Sequence, residues 1–122
     1  MASSPEKLVR GLALFKWVDC PAGASGEELL HTVPLDRTLR IDRVEVYFPV
    51  GCEGQVEARI MADGQQQYPW TGAYRGDDLL LVSVSPRWIP PGAKLSVVWK
   101  NNDTLNPLAF SVHLSAAEYE KE

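Results

Sequence analysis

The stretch Gln55-Val56-Glu57-Ala58-Arg59-Ile60-Met61-Ala62-Asp63-Gly64-Gln65-Gln66-Gln67-Tyr68-Pro69-Trp70 carries the clearest structural instruction in the chain. Val56, Ala58, Ile60 and Ala62 alternate with Glu57, Arg59 and Met61. Successive side chains of a strand point to opposite faces, so this alternation gives a strand with one buried face. Asp63-Gly64 follows at once. A type I′ turn needs positive φ at both central residues, which Asp-Gly tolerates, so the stretch predicts a hairpin from Val56–Ala62 into Gln65–Trp70. Pro69 has no N–H to give to a ladder, which places the second strand at a sheet edge.

The same period of two extends outward in both directions. Leu95, Val97 and Trp99 alternate with Lys94, Ser96 and Lys100, and Leu108, Phe110, Val112 and Leu114 alternate with Ala109, Ser111, His113 and Ser115. Leu79–Val84 is apolar on both faces and is the expected central strand. Leu12–Val18 carries Phe15 and Trp17 on one side and Leu12, Leu14 and Val18 on the other. In Leu29–Leu35, the residues Leu29, Val33 and Leu35 share a face with His31. Within Leu39–Val50 the apolar phase slips between Ile41 and Val44. A slip of one residue turns the core face outward unless a bulge absorbs it, so a β-bulge is expected at Asp42–Arg43.

Gly51-Cys52-Glu53-Gly54 reads as a second hairpin loop, and the segments Pro21–Gly26, Pro34–Thr38, Thr71–Asp78, Pro86–Gly92 and Asn101–Pro107 as the remaining breaks. Helix signals are confined to the ends: one turn at Ser4-Pro5-Glu6-Lys7 and a frayed turn or solvated tail over Ala116–Glu122. About eight short strands with a turn every 8–12 residues predict an all-β fold, a single-domain antiparallel β-sandwich with jelly-roll-like character. That domain covers residues 1–122, with flexible ends at 1–7 and 116–122.

Composition narrows the partners. Sixteen acidic against twelve basic residues give a net charge of -4, and the basic residues are scattered from Lys7 to Lys121. Phosphate binding depends on clustered Lys and Arg that release counterions, so nucleic acid is not an expected partner. No apolar run is long enough to cross a bilayer, and Leu8–Val18 lacks the basic start and cleavage site of a signal peptide, so no membrane association is expected either. The expected location is the cytoplasm or a particle assembled from it. Cys20 and Cys52 are read as reduced thiols in such a compartment.

Catalytic patterns are sparse. His31 falls on an apolar face and is read as a hydrogen-bonded, half-buried residue, whereas His113 falls on a polar face. No Gly-x-Ser-x-Gly elbow accompanies them. Cys52 has Glu53 rather than a cation as its neighbour, which favours the neutral thiol. Asp77-Asp78 with Asp103 could offer oxygen ligands to calcium, but no calcium-loop spacing is present. The tripeptide Arg75-Gly76-Asp77 and the acceptor sequon Asn102-Asp103-Thr104 have meaning only outside the cell. Val98-Trp99-Lys100-Asn101-Asn102-Asp103 resembles a six-residue stretch of cupredoxins, but the copper-ligand histidine that family places shortly afterwards is missing from Leu105–Ala109. No cofactor, no metal and no catalytic residue is therefore expected.

The informative surface signal is aromatic. Tyr68, Trp70 and Tyr74 crowd the edge strand and the loop Thr71–Asp78, while Trp88 follows Arg87 in a proline-stiffened segment. Aromatic residues and Arg on stiff loops are typical interface anchors. With Arg75, Asp77 and Asp78 they form the candidate binding set. Two functions follow. The first is a non-enzymatic interaction or assembly module that binds copies of itself or a larger protein through these aromatics and the edge strand Gln65–Gln67; in architecture it resembles accessory jelly-roll subunits of phage particles. The second is a carbohydrate-binding module stacking sugar rings on Trp70, Tyr74 and Trp88.

Overall fold

Nine strands and no helix make up the described residues, 7–121, of the computed structural model. In chain order they are β1 (Leu8–Cys20), β2 (Ser25–Thr32), β3 (Arg37–Phe48), β4 (Val56–Ala62), β5 (Gln65–Tyr68), β6 (Leu79–Ser83), β7 (Arg87–Ile89), β8 (Lys94–Asn101) and β9 (Leu108–Glu120). The first sheet has the order β1-β9-β3-β6, with β7 also pairing β3, and the second has the order β2-β8-β4-β5. All the pairings are antiparallel. Alternating side chains from the two sheets meet in one core, with Leu39, Ile41, Phe48 and Phe110 from one side and Val56, Ile60, Leu95 and Trp99 from the other. The domain is an antiparallel β-sandwich.

Local chemistry explains the joints. The register of β3 against β9 shifts between Ile41 and Arg43, which is the bulge expected from the phase slip. Asp63 and Gly64 both have positive φ, 47° and 80°, as the tight turn from β4 into β5 requires. Gly26 stands directly opposite Trp99 in the β2–β8 pair, and a Cβ built on it would lie 2.7 Å from the Trp99 ring. That glycine gives the indole the room it occupies in the core.

Four expectations are corrected. Leu79–Val84 is not central: β6 ends the first sheet. Its two apolar faces arise because Leu80 and Val82 are left in solvent at 49% and 41% exposure. The Gly51–Gly54 segment is not a hairpin loop, since β3 and β4 lie in different sheets and the chain crosses between them there. In Leu29–Leu35 a register shift between Leu29 and His31 breaks the shared face: Leu30 packs against the core while Leu29 and Leu35 are exposed. The segment from Ala116 is strand rather than a frayed tail, because β9 runs to Glu120 between β1 and β3. The turn expected at Ser4–Lys7 lies outside the described residues except for Lys7, whose carbonyl accepts the Glu120 N–H.

A buried carboxylate accounts for the order of that last strand. Glu118 is fully buried and accepts Arg10 Nε at 2.5 Å and Arg37 Nη1 at 3.5 Å, with His31 Nε2 at 3.2 Å. Burial opposes its ionisation, but the hydrogen bonds from Arg10 and His31 outweigh that and hold its pKa below the ordinary glutamate value. Since His31 belongs to β2 and the other three to the first sheet, the cluster clasps the two layers together.

Candidate functional site

The eight residues singled out by sequence do not form one site. Tyr68 and Tyr74 are buried; the Tyr68 hydroxyl donates to the Ser85 carbonyl, and the Tyr74 hydroxyl lies 2.6 Å from Ser83 Oγ. Burial pushes the Tyr68 phenol up to about 12. Arg75 pairs with Glu57 at 2.8 Å on the second sheet. Asp77 Oδ1 accepts the Gly51 and Glu53 N–H groups at 2.7 and 3.0 Å, so it shapes the crossing loop. Asp78 is exposed, with a φ of 47°.

Two tryptophans remain open to solvent, Trp70 at 78% and Trp88 at 53% exposure. The Arg87 guanidinium sits 4.5 Å from the Trp70 ring. Trp88 packs on Tyr119 at 5.1 Å between centroids, beside Arg40. Arg87 and Trp88 are successive residues of β7 and point to opposite sides of the sheet. Trp70 accompanies Arg87, so the two indoles present separate surfaces rather than one platform.

Trp88 instead belongs to a larger feature, the outer face of the first sheet. Its Cα partner is Arg40, which pairs in turn with Ala117. Further along, Trp17, Ser111, Tyr47 and Leu80 stand in one row across β1, β9, β3 and β6, and Phe15, His113, Glu45 and Val82 in the next. Phe15, Trp17, Tyr47, Leu80 and Val82 are each between 37% and 66% exposed. Arg43 Nε donates to Glu45 at 2.6 Å between the apolar flanks, and His113 Nδ1 lies 3.8 Å from the same carboxylate. Thus a face with large apolar side chains at both margins surrounds a small polar centre.

The outer face of the second sheet is built differently. Glu27, Val98 and Arg59 form one row and Ser25, Lys100 and Glu57 another. Glu57 gathers Asn102, Arg75 and Arg59, and the first two hold its carboxyl below the usual range. Ser96 Oγ donates to Glu27 at 2.6 Å. This face resolves its polar groups internally and is solvated, as one side of an antiparallel sheet commonly is.

The apolar face runs at one end into a groove of about 540 Å³ between Trp17, Pro49, Val50 and Leu108. The buried thiols of Cys20 and Cys52 line it and are not bridged. Burial, and then the neighbouring Cys52, pushes Cys20 up to about 12; burial also raises Cys52. Both are therefore neutral thiols near pH 7 and weak nucleophiles, so the groove offers shape and apolar contact rather than reactivity. Among the described residues no three His, Cys, Asp or Glu side chains converge as a metal ion would need. No helix there is long and apolar enough to cross a membrane.

Sequence reasoning left Phe15, Trp17, Tyr47, Leu80 and Val82 out of the candidate site. The only signal for them was the large apolar residues at the off-phase positions of β1, β3 and β6, which periodicity alone assigns to a doubly covered strand. No protein-family profile matches the chain, and no curated protein matches it.

Proposed function

We propose that the chain is a non-enzymatic interaction or assembly module, and that it works through the outer face of the first sheet. The observation that supports this reading is the asymmetry between the two outer faces. One ties Glu57, Arg59, Arg75 and Glu27 into contacts of its own and leaves Leu29 exposed; the other leaves Phe15, Trp17, Tyr47, Trp88 and the apolar residues of β6 in water. An aromatic side chain has roughly 150–250 Å² to bury, so these four rings at about half exposure leave on the order of 400 Å² open. With Leu80, Val82 and the 64%-exposed Val84 added, the two apolar margins together expose an area on the scale of the largest apolar patches of monomers, roughly 300–600 Å². Covering it with a protein partner removes that cost. The centre supplies orientation, since Arg43, Glu45 and His113 reward a partner of matching polarity. Trp70 with Arg87 is a second, smaller contact point.

Hydroxyl-radical footprinting tests the reading on the full chain, in native extract and after purification. Phe15, Trp17, Tyr47 and Leu80 are expected to be protected in extract and labelled when the purified chain is diluted until it is monomeric, while Met61 on the solvated face is labelled equally in both. Equal labelling of the four apolar residues in both samples would refute the proposal.

A further inference from the structure

The four sheet edges are not alike. β2 has eight residues, a register shift between Leu29 and His31, and two glutamates, Glu27 and Glu28. β5 has four residues and is followed at once by Pro69. β6 and β7 have five and three residues and are interrupted by Val84–Pro86. Shortness, charge, proline and irregular register are the usual devices by which an edge avoids pairing with another chain. β1 has fewer of them: it carries Arg10, Lys16 and Asp19 and shifts register once, near its start between Leu8 and Arg10. It is 13 residues long, contains no proline, pairs only with β9 among the described residues, and keeps a regular register from Arg10 to Cys20.

A glycine inside that strand has no explanation among the described residues. Gly11 does not have positive φ, and a Cβ built on it would meet only the Ala116 carbonyl oxygen, at 4.0 Å. Glycine weakens a strand interior and often marks the close approach of something else. Gly26, by contrast, lies beneath Trp99, its direct cross-strand partner. The fold thus already uses an indole over a glycine in an antiparallel pair, and at Gly11 the corresponding indole is missing.

From this we infer that β1 pairs antiparallel with β1 of a second copy of the chain, with Leu14 on the two-fold axis. The inference rests on the interaction-module reading and names its partner. In that register Trp17 stands opposite the copy's Gly11, and Phe15 opposite the copy's Ala13. Large meets small at both of these outward positions, and an aromatic covers an edge glycine, a recognised way to pin strand register. Arg10 faces the copy's Val18, Lys16 its Leu12 and Asp19 its Val9, so no like charges stand opposite each other. The paired strands, about 43 Å long at ~3.3 Å per residue, gain about one ladder hydrogen bond per residue. A two-fold axis satisfies both copies with the same contacts and leaves no free β1 edge. The two outer faces then join into one continuous surface.

Sedimentation across a concentration series, with hydrogen exchange on the same samples, tests this on the full chain. The expected result is a reversible rise to twice the 13.5 kDa chain mass. Alternate β1 amides, those turned away from β9, gain protection with concentration, while β2 and β5 amides do not change. Gly11→Val fills the slot for Trp17 without crowding its own chain; it should weaken the dimer roughly tenfold, as the symmetry applies the loss of the cross-strand pair twice, with no loss of thermal stability in the dilute monomer. Gly11→Trp should abolish the dimer, and adding Trp17→Gly should restore it, because the swap preserves complementarity only about this axis. A chain that stays monomeric with unprotected β1 amides, protection that rises on another edge, or a Gly11→Val variant that dimerises normally would each overturn the inference. If footprinting in extract still protects Phe15 and Trp17 in the first of those cases, the partner is a different protein and the module reading stands. If it does not, both fall.

Discussion

Replacing Glu118 with Gln removes the charge at the centre of the interlayer clasp while keeping its shape. A hydrogen bond to a buried charged group contributes roughly 1.5–3 kcal/mol, but pairs whose partner reaches water are worth less, about 1 kcal/mol or below. The Arg10 side chain is 53% exposed and Arg37 29%, so both fall in the weaker class; His31, at 16%, lies closer to the buried one. Glutamine still accepts from Arg10, yet its NH2 group turns a donor toward other donors. The net cost is about 3 kcal/mol, and for a domain of this size that lowers Tm by about 10–15 °C. The pH dependence has a definite sign. Glu118 is held below its ordinary value of 4.5 in the folded chain, so its contribution is complete above that value and is lost as pH falls through the lower, folded one. Urea unfolding of both chains from neutral to strongly acid solution measures this. The wild-type advantage should be full at neutral pH and shrink below the ordinary glutamate range. Equal stability at neutral pH, or a gap unchanged in acid, would show that the cluster does not clasp the sheets.

Two further outcomes follow from the packing. Gly26→Val places a side chain where the Trp99 ring lies only 2.7 Å from the position its Cβ must take, and should cost at least about 1–3 kcal/mol in chemical unfolding, as overpacking does; a loss under about 0.5 kcal/mol would mean that the ring is free to move aside. Cys20 and Cys52, buried and shifted toward the neutral thiol, should resist a disulfide-exchange reagent near pH 8 until the chain unfolds, so prompt release of chromophore from the native protein would contradict their burial.

Much of the fold was legible because strand periodicity is a local property. The alternation in Val56–Ala62, Leu95–Trp99 and Leu108–Leu114 places the observed core residues inward, the phase slip at Asp42–Arg43 marks the observed bulge, and Asp63-Gly64 makes the observed turn. The candidate site was less legible. Tyr74 looks like a loop aromatic in sequence, yet the isolated bridge between Ala58 and Tyr74 draws that loop onto β4 and buries the ring. Leu80 and Val82 read as covered on both sides, but they lie with Tyr47 on the outer face of the first sheet, which no other layer of the described residues covers.

Sequence alone therefore determined most of the extended segments, though not β7 or the end of β9, where most of them turn, and which face of the regular ones is greasy, because each of these depends on neighbours two to four residues apart. Tertiary structure decided which strands became edges, that Gly51–Gly54 crosses between layers, and that Glu118 meets Arg10, His31 and Arg37 across as many as 108 positions of chain. Those outcomes depend on how two sheets choose their neighbours. That choice is made by the summed burial of the whole core, and no single stretch of residues carries it.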